Sequence, residues 1–237
     1  MIVKLIRFLA GLALLPFCLA LIRTLVFLMH SIKIETSVPF LHAPLTAFGA
    51  GLGLWLLIHF TLPQPARAYI LAHELTHALW GMLMGAKVSN LQVRKNTGSV
   101  RLSKSNFMVT LAPYFFPLHA VGIIAAYQVA RLFVAVDRYQ PLWLALVGLA
   151  WGFHLTGTIG ALLQRQSDIR EYGRLFSYTL ILALNVAAII VWIVAVTSAS
   201  LTETAGFLRE DSLAAGAEAW RGLSAGARRI AKAAAGQ

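Results

Sequence analysis

The chain has 237 residues, of which 59% are hydrophobic and 12% charged, and it carries a formal net charge of +11. This composition is too apolar for an ordinary soluble domain, and no basic stripe with interleaved aromatics points to nucleic acid. The single cysteine, Cys18, excludes an intrachain disulfide and a thiolate metal cage, so any metal must be held by imidazole and carboxylate. The positive charge lies in connecting segments and the tail, where it suits control of topology and contact with anionic headgroups.

Residues 2–29 read as a first membrane helix, interrupted by Pro16 and carrying Lys4 and Arg7 at its start. The apolar stretch is too long for a signal peptide, and Arg23 falls where a cleavage region should be small and neutral. A retained helix is expected. Residues 45–62 form a second span, opened by Pro44 and closed by Pro63-Gln64-Pro65, with Gly49, Gly51 and Gly53 permitting close helix contact. Residues 66–85 follow as a third helix that Gly85 can stop.

Over residues 87–103, Val88, Leu91, Val93, Val100 and Leu102 occur among polar residues, and Asn96-Thr97-Gly98 supplies turn chemistry. A short β-hairpin is predicted there. It cannot lie bare in lipid, where its edges would leave backbone groups unpaired. Residues 107–136 read as one long apolar helix kinked near Pro113 and Pro117, residues 142–163 as a fifth span and 175–197 as a sixth. Beyond Ser198 the chain is Ala/Gly-rich and mixed in charge, either a weak amphipathic helix on the bilayer surface or disordered. The expected fold is an all-α polytopic membrane protein of about six transmembrane helices with a small β-hairpin. Residues 1–198 would form one membrane domain and 199–237 a tail, and a bacterial inner membrane is the expected location.

The third helix carries His73-Glu74-Leu75-Thr76-His77. Positions four apart share one helical face, so both imidazoles can hold one ion, and Glu74 lies one step round, where a carboxylate can take a proton from bound water. This is the H-E-x-x-H signature of a zinc metallopeptidase. Three ionisable side chains within five residues are costly in lipid unless paired, hydrated or metal-bound.

Catalytic zinc takes three protein ligands and leaves a fourth position open. The chain has three aspartates. Asp137 sits beside Arg138 in what reads as a surface turn, and Asp211 lies in the charged tail. Asp168 follows the fifth span closely and can reach a site near one membrane face; its bland alternative is a pair with Arg165 or Arg170. His154, inside the fifth span, is the competitor, with hydrogen bonding to a neighbouring carbonyl as its own bland alternative. The two lie 14 positions apart, about 21 Å along a helix, so both cannot bind one ion. Glu171 is a lesser alternative. His30, His42 and His59 fall near span ends, and His119 follows a proline kink, where it can satisfy freed backbone.

From about residue 66 to 185 the order of features resembles the site-2-protease family of intramembrane zinc metallopeptidases: an embedded His-Glu-Leu-Thr-His, a glycine, a hairpin, a helix with Leu111-Ala112-Pro113, then an aspartate beyond later spans. The resemblance implies one zinc ion per chain held by His73, His77 and Asp168, with Glu74 activating the water. It also implies membrane-spanning or membrane-associated peptide substrates, presented to the edge of the hairpin by strand addition. Two departures mark a divergent member. Ala112 precedes Pro113 and Phe116 follows it where the family commonly has Gly and Asn, and Asp168-Ile169 replaces a frequent Asp-Gly. The group that would stabilise an oxyanion is left unassigned, Asn106 and Asn185 being the amide-bearing candidates.

A topological objection attends this reading. Three full crossings between His73 and Asp168 would put them on opposite faces of a bilayer. They can meet only if the hairpin region returns the chain or the third helix does not fully cross. Two rival functions remain: a non-proteolytic zinc-binding scaffold or regulator on the same fold, and a transporter using intramembrane histidines, for which His119, His154 and Asn185 are few.

Overall fold

The computed structural model describes residues 2–31, 43–94 and 97–235. Its elements in chain order are α1 (Ile2–Ser31), α2 (Pro44–Thr61), α3 (Ala66–Leu83), β1 (Val88–Val93), β2 (Gly98–Leu102), α4 (Phe107–Phe115), α5 (Leu118–Ala130), α6 (Gln140–Leu162), α7 (Ser167–Tyr172), α8 (Arg174–Val196) and α9 (Leu201–Ala235). His42, Lys95 and Asn96 lie outside the described residues.

Among the described residues, four helical segments are long and apolar enough to cross a membrane: α1, α2, Asp137–Leu162 and α8. Counting the bent pair α4–α5 as one broken span makes five. The expectation is of about six, one more than length and composition return. The difference is α3, in which Arg67, His73, Glu74 and His77 dilute the apolar residues.

The long helix expected over residues 107–136 is instead two helices, bent by 77° at the break. Pro117 explains it. Proline lacks an N–H and drives the residue before it out of the helical region. Phe116 accordingly sits at φ −101 and ψ 106.

By internal contacts the chain forms two compact units, Met1–Lys33 with Gly173–Gln237, and Ile34–Tyr172. In the first, α1 packs on α8 and α9. Gly11 brings α8 in close, since an added Cβ would lie 2.8 Å from the Phe176 nitrogen. Phe27 stacks on Phe207 with ring centroids 4.3 Å apart, and Arg23 pairs with Asp211 at 3.3 Å. The tail, for which an amphipathic helix or disorder is expected, is a continuous helix through Ala235.

In the second unit, α2 lies against α6 at backbone contact. A Cβ at Gly51 would overlap the Ala145 carbonyl, and one at Gly148 would overlap the Phe48 carbonyl. The glycines of both helices thus allow a closer approach than any side chain would. α3 ends where Gly85 adopts φ +72, and the Ala86 N–H reaches back to the Gly81 carbonyl at 2.8 Å. This is the six-to-one bond of a Schellman stop, with glycine supplying the left-handed residue.

The hairpin follows as predicted, β1 antiparallel to β2, with Val88 opposite Leu102, Val93 opposite Gly98, and an irregularity between Ser89 and Gln92. It is not bare. Its second strand lies along α3, with Leu102 over Gly81 and Gly98 against Glu74. The chain then re-enters at α4, capped by the Asn106 side chain, which accepts the Val109 N–H at 3.0 Å.

Contacts along the chain answer the topological objection. Asn106 lies by Met84 at the end of α3, and Tyr114 lies by His73 in its first half. Beyond the break, Tyr127 at the end of α5 stacks on Trp143 near the start of α6. Farther along α6, Gly157 meets Tyr69 near the start of α3. With the 77° turn at Phe116-Pro117 between α4 and α5, the end of α6 and the α7 that follows it come to the level of His73.

Candidate metal centre

His73 and His77 stand one turn apart on α3, their ring centroids 4.8 Å apart. Asp168, in the first turn of α7, closes on both: its Oδ2 lies 3.6 Å from each Nε2. The three ligand atoms all fall within 4.8 Å of one another, and this group could hold a metal ion. All three side chains are largely covered, at 14%, 13% and 20% exposure.

The chemistry of the donors fits an ion better than direct pairing. The Nδ1 of His77 lies 3.0 Å from the Val109 carbonyl oxygen. A carbonyl can only accept, so in the neutral ring Nδ1 carries the proton and Nε2 presents a lone pair. That lone pair faces a carboxylate oxygen, also an acceptor, at a separation beyond ordinary N–H···O range. Two acceptors held face to face call for a cation between them. Metal bonds of about 2.0–2.1 Å in tetrahedral array place ligand atoms about 3.3–3.4 Å apart, close to the spacing found here.

The Val109 carbonyl is available for a specific reason. In a helix its partner would be the N–H of the residue four positions on, which is Pro113 and has none. Pro113 thus frees the oxygen that orients His77. Tyr114, the next residue, donates its hydroxyl to Asp168 Oδ2 at 3.0 Å and sets its ring edge-on to His73 at 5.2 Å. Ser167 donates to the other carboxylate oxygen at 3.2 Å. Burial works against ionisation of Asp168, but in the ion-free site protonated imidazoles of His73 and His77 would outweigh it and hold the carboxyl well below the usual carboxylate range.

Glu74 is buried on α3, with Gly98 of the hairpin directly against its side chain: a Cβ there would lie 2.6 Å from Glu74 Cγ. With His73, Glu74 lines a cleft of about 400 Å³ bounded by α2, α3 and α6. A carboxylate so placed can exchange a proton with water entering from that cleft.

The other candidates lie elsewhere. His154 is buried in α6 against Trp151 and is not in the metal-competent group, nor is Glu171. His119 packs edge-on to Phe153, and exposed His30 sits 2.8 Å from its own helix's Val26 carbonyl. Asp137 pairs with Arg131 at 3.3 Å on the surface, and Asp211 with Arg23. Among the described residues no ion pair joins Asp168 to Arg165 or Arg170. Asn106 is a helix cap, and Asn185, in the other unit, donates to the Ile181 carbonyl of its own helix at 2.9 Å.

Sequence reasoning passed over Tyr114 and Val109. A tyrosine in an apolar helix reads as core, and it is fully buried. The signal available was Pro113, which guarantees an unpaired carbonyl four residues earlier. Comparison of the chain with protein-family models, curated proteins and solved structures finds no match in any of the three.

Proposed function

We propose that the protein is an intramembrane zinc metalloprotease, a divergent member of the site-2-protease type, which hydrolyses peptide bonds of membrane-spanning or membrane-associated substrates. The observation that carries this reading is the convergence of Asp168 on the two imidazoles, beside a buried glutamate that opens on a cleft. Zinc suits a nitrogen and oxygen donor set of three residues, and when bound it lowers the pKa of water toward about 7 and polarises a carbonyl. His77 is fixed in the ligating tautomer by Val109, and Asp168 is held by Tyr114 and Ser167. Glu74 takes a proton on a carboxylate oxygen from the attacking water and passes it to the departing amide nitrogen. The substrate must be extended around the cleavage point, because helical backbone hides its carbonyls in hydrogen bonds.

The test is Glu74→Gln in the detergent-solubilised protein. Zinc content should stay near one ion per chain while cleavage of a susceptible membrane peptide disappears. Undiminished cleavage by that variant would rule the mechanism out.

A further inference from the structure

The cleft beside Glu74 has a chemical character of its own. One wall is aromatic: Trp55 and Phe153 meet edge-on at 5.0 Å, and Tyr69 stands 6.2 Å from Phe153. The Trp55 Nε1–H already donates to Thr156 at 2.9 Å, so the indole offers the cleft only apolar surface. Gly157 lets the Tyr69 ring lie directly on α6, where a Cβ would overlap it. One turn further on, Gly160 also lines the cleft, yet a Cβ there would meet nothing within 4 Å. The space over Gly160 is open volume.

The mouth differs. Gln164 and Gln166 donate their amide N–H groups to the last carbonyls of α6, those of Gly160 and Ala161, both at 3.2 Å. Their amide oxygens remain as acceptors at the rim, suited to the N–H groups of an extended backbone. Glu74, His59 and His73 line the cleft, but no Asp, Lys or Arg does so among the described residues. An anionic guest would be desolvated there with no lysine or arginine to receive it. About 400 Å³ lies near the lower end of small-ligand pockets, enough for one large side chain and the backbone that carries it.

We infer that the cleft between α2, α3 and α6 is a side-chain subsite selecting a large, uncharged apolar residue next to the bond to be cleaved, with the rim glutamines receiving the adjoining backbone. This rests on the peptidase reading for its consequence, but binding in the cleft can be measured without turnover.

The experiment uses full-length, zinc-loaded Glu74→Gln protein in detergent. Fluorescently labelled apolar peptides, identical except for Phe, Leu, Ala or Asp at one position, are titrated by anisotropy. Phe and Leu peptides should bind about tenfold or more tightly than the Ala peptide, and the Asp peptide most weakly. Adding Gly160→Phe should erase the preference for Phe and Leu while zinc content holds. Partition into micelles is common to both proteins, so only the difference between them counts.

Equal binding of all four peptides to the Glu74→Gln protein overturns the subsite, whether or not the Gly160 variant folds. So does a preference that survives Gly160→Phe. If the preference appears and is erased but the wild type cleaves none of the peptides, the subsite stands and the peptidase reading falls.

Discussion

Asp168 Oδ2 has two imidazole nitrogens at 3.6 Å and the Tyr114 hydroxyl at 3.0 Å. Only the hydroxyl donates within hydrogen-bond range, so Tyr114 fixes the carboxylate and leaves its remaining acceptor capacity for an ion. Partners that orient metal ligands are worth about 10–100-fold in affinity, and Tyr114→Phe should weaken zinc retention by that order in a chelator competition. In the same assay Asp168→Ala should empty the site and His154→Ala should leave it filled. The reverse pattern would transfer the third position to His154. The paired histidines and Glu74 were legible in the sequence because their geometry is local to one helix. Asp168 was legible only as a boundary aspartate and through a family resemblance, since its approach depends on every element between α3 and α7. Tyr114 was not legible at all, because nothing in an apolar run separates a tyrosine that anchors a ligand from one that fills a core.

At the level of elements, the helices and the hairpin follow from hydropathy, proline and glycine placement, and most boundaries agree within a few residues. The exception is instructive. Residues 107–136 are predominantly apolar, and hydropathy cannot tell one kinked helix from two. The deciding feature is local: Pro117 forces Phe116 into extended backbone and the chain changes direction by 77°. The hairpin, in turn, was predicted as an element but not as a wall of the site. Gly98 brings strand β2 against Glu74 with no room for a side chain. Gly98→Val should therefore displace either the strand or the carboxylate. Cleavage is expected to drop on the order of 100-fold, the scale of a catalytic group misplaced by about 1 Å, with zinc stoichiometry unchanged. Loss of zinc together with activity would place the damage in the fold instead.

At the scale of the molecule, four or five segments among the described residues are long and apolar enough to span a bilayer, and many large apolar side chains lie on the outside, among them Phe60, Phe133 and Leu163. Lipid accounts for this surface better than water does. Expressed in cells, the protein should sediment with membranes and resist alkaline carbonate extraction; release into the supernatant would contradict the membrane reading. Composition made the apolar character legible. It could not reveal that α3, the helix bearing the ligands, is the least membrane-like of the long helices in its unit, because that follows from the same polar side chains that build the site.

Pro113 carries one further consequence. Proline inside a helix costs up to about 3 kcal/mol relative to alanine, so Pro113→Ala should raise the thermal midpoint of the metal-free protein. The restored amide hydrogen, however, would compete with the imidazole of His77 for the Val109 oxygen, leaving the ring free to swivel. The same substitution should loosen the hold on zinc by about tenfold or more. Firmness of the backbone and grip on the ion are opposed at this one position, and a variant selected only for heat resistance would drift toward an empty centre.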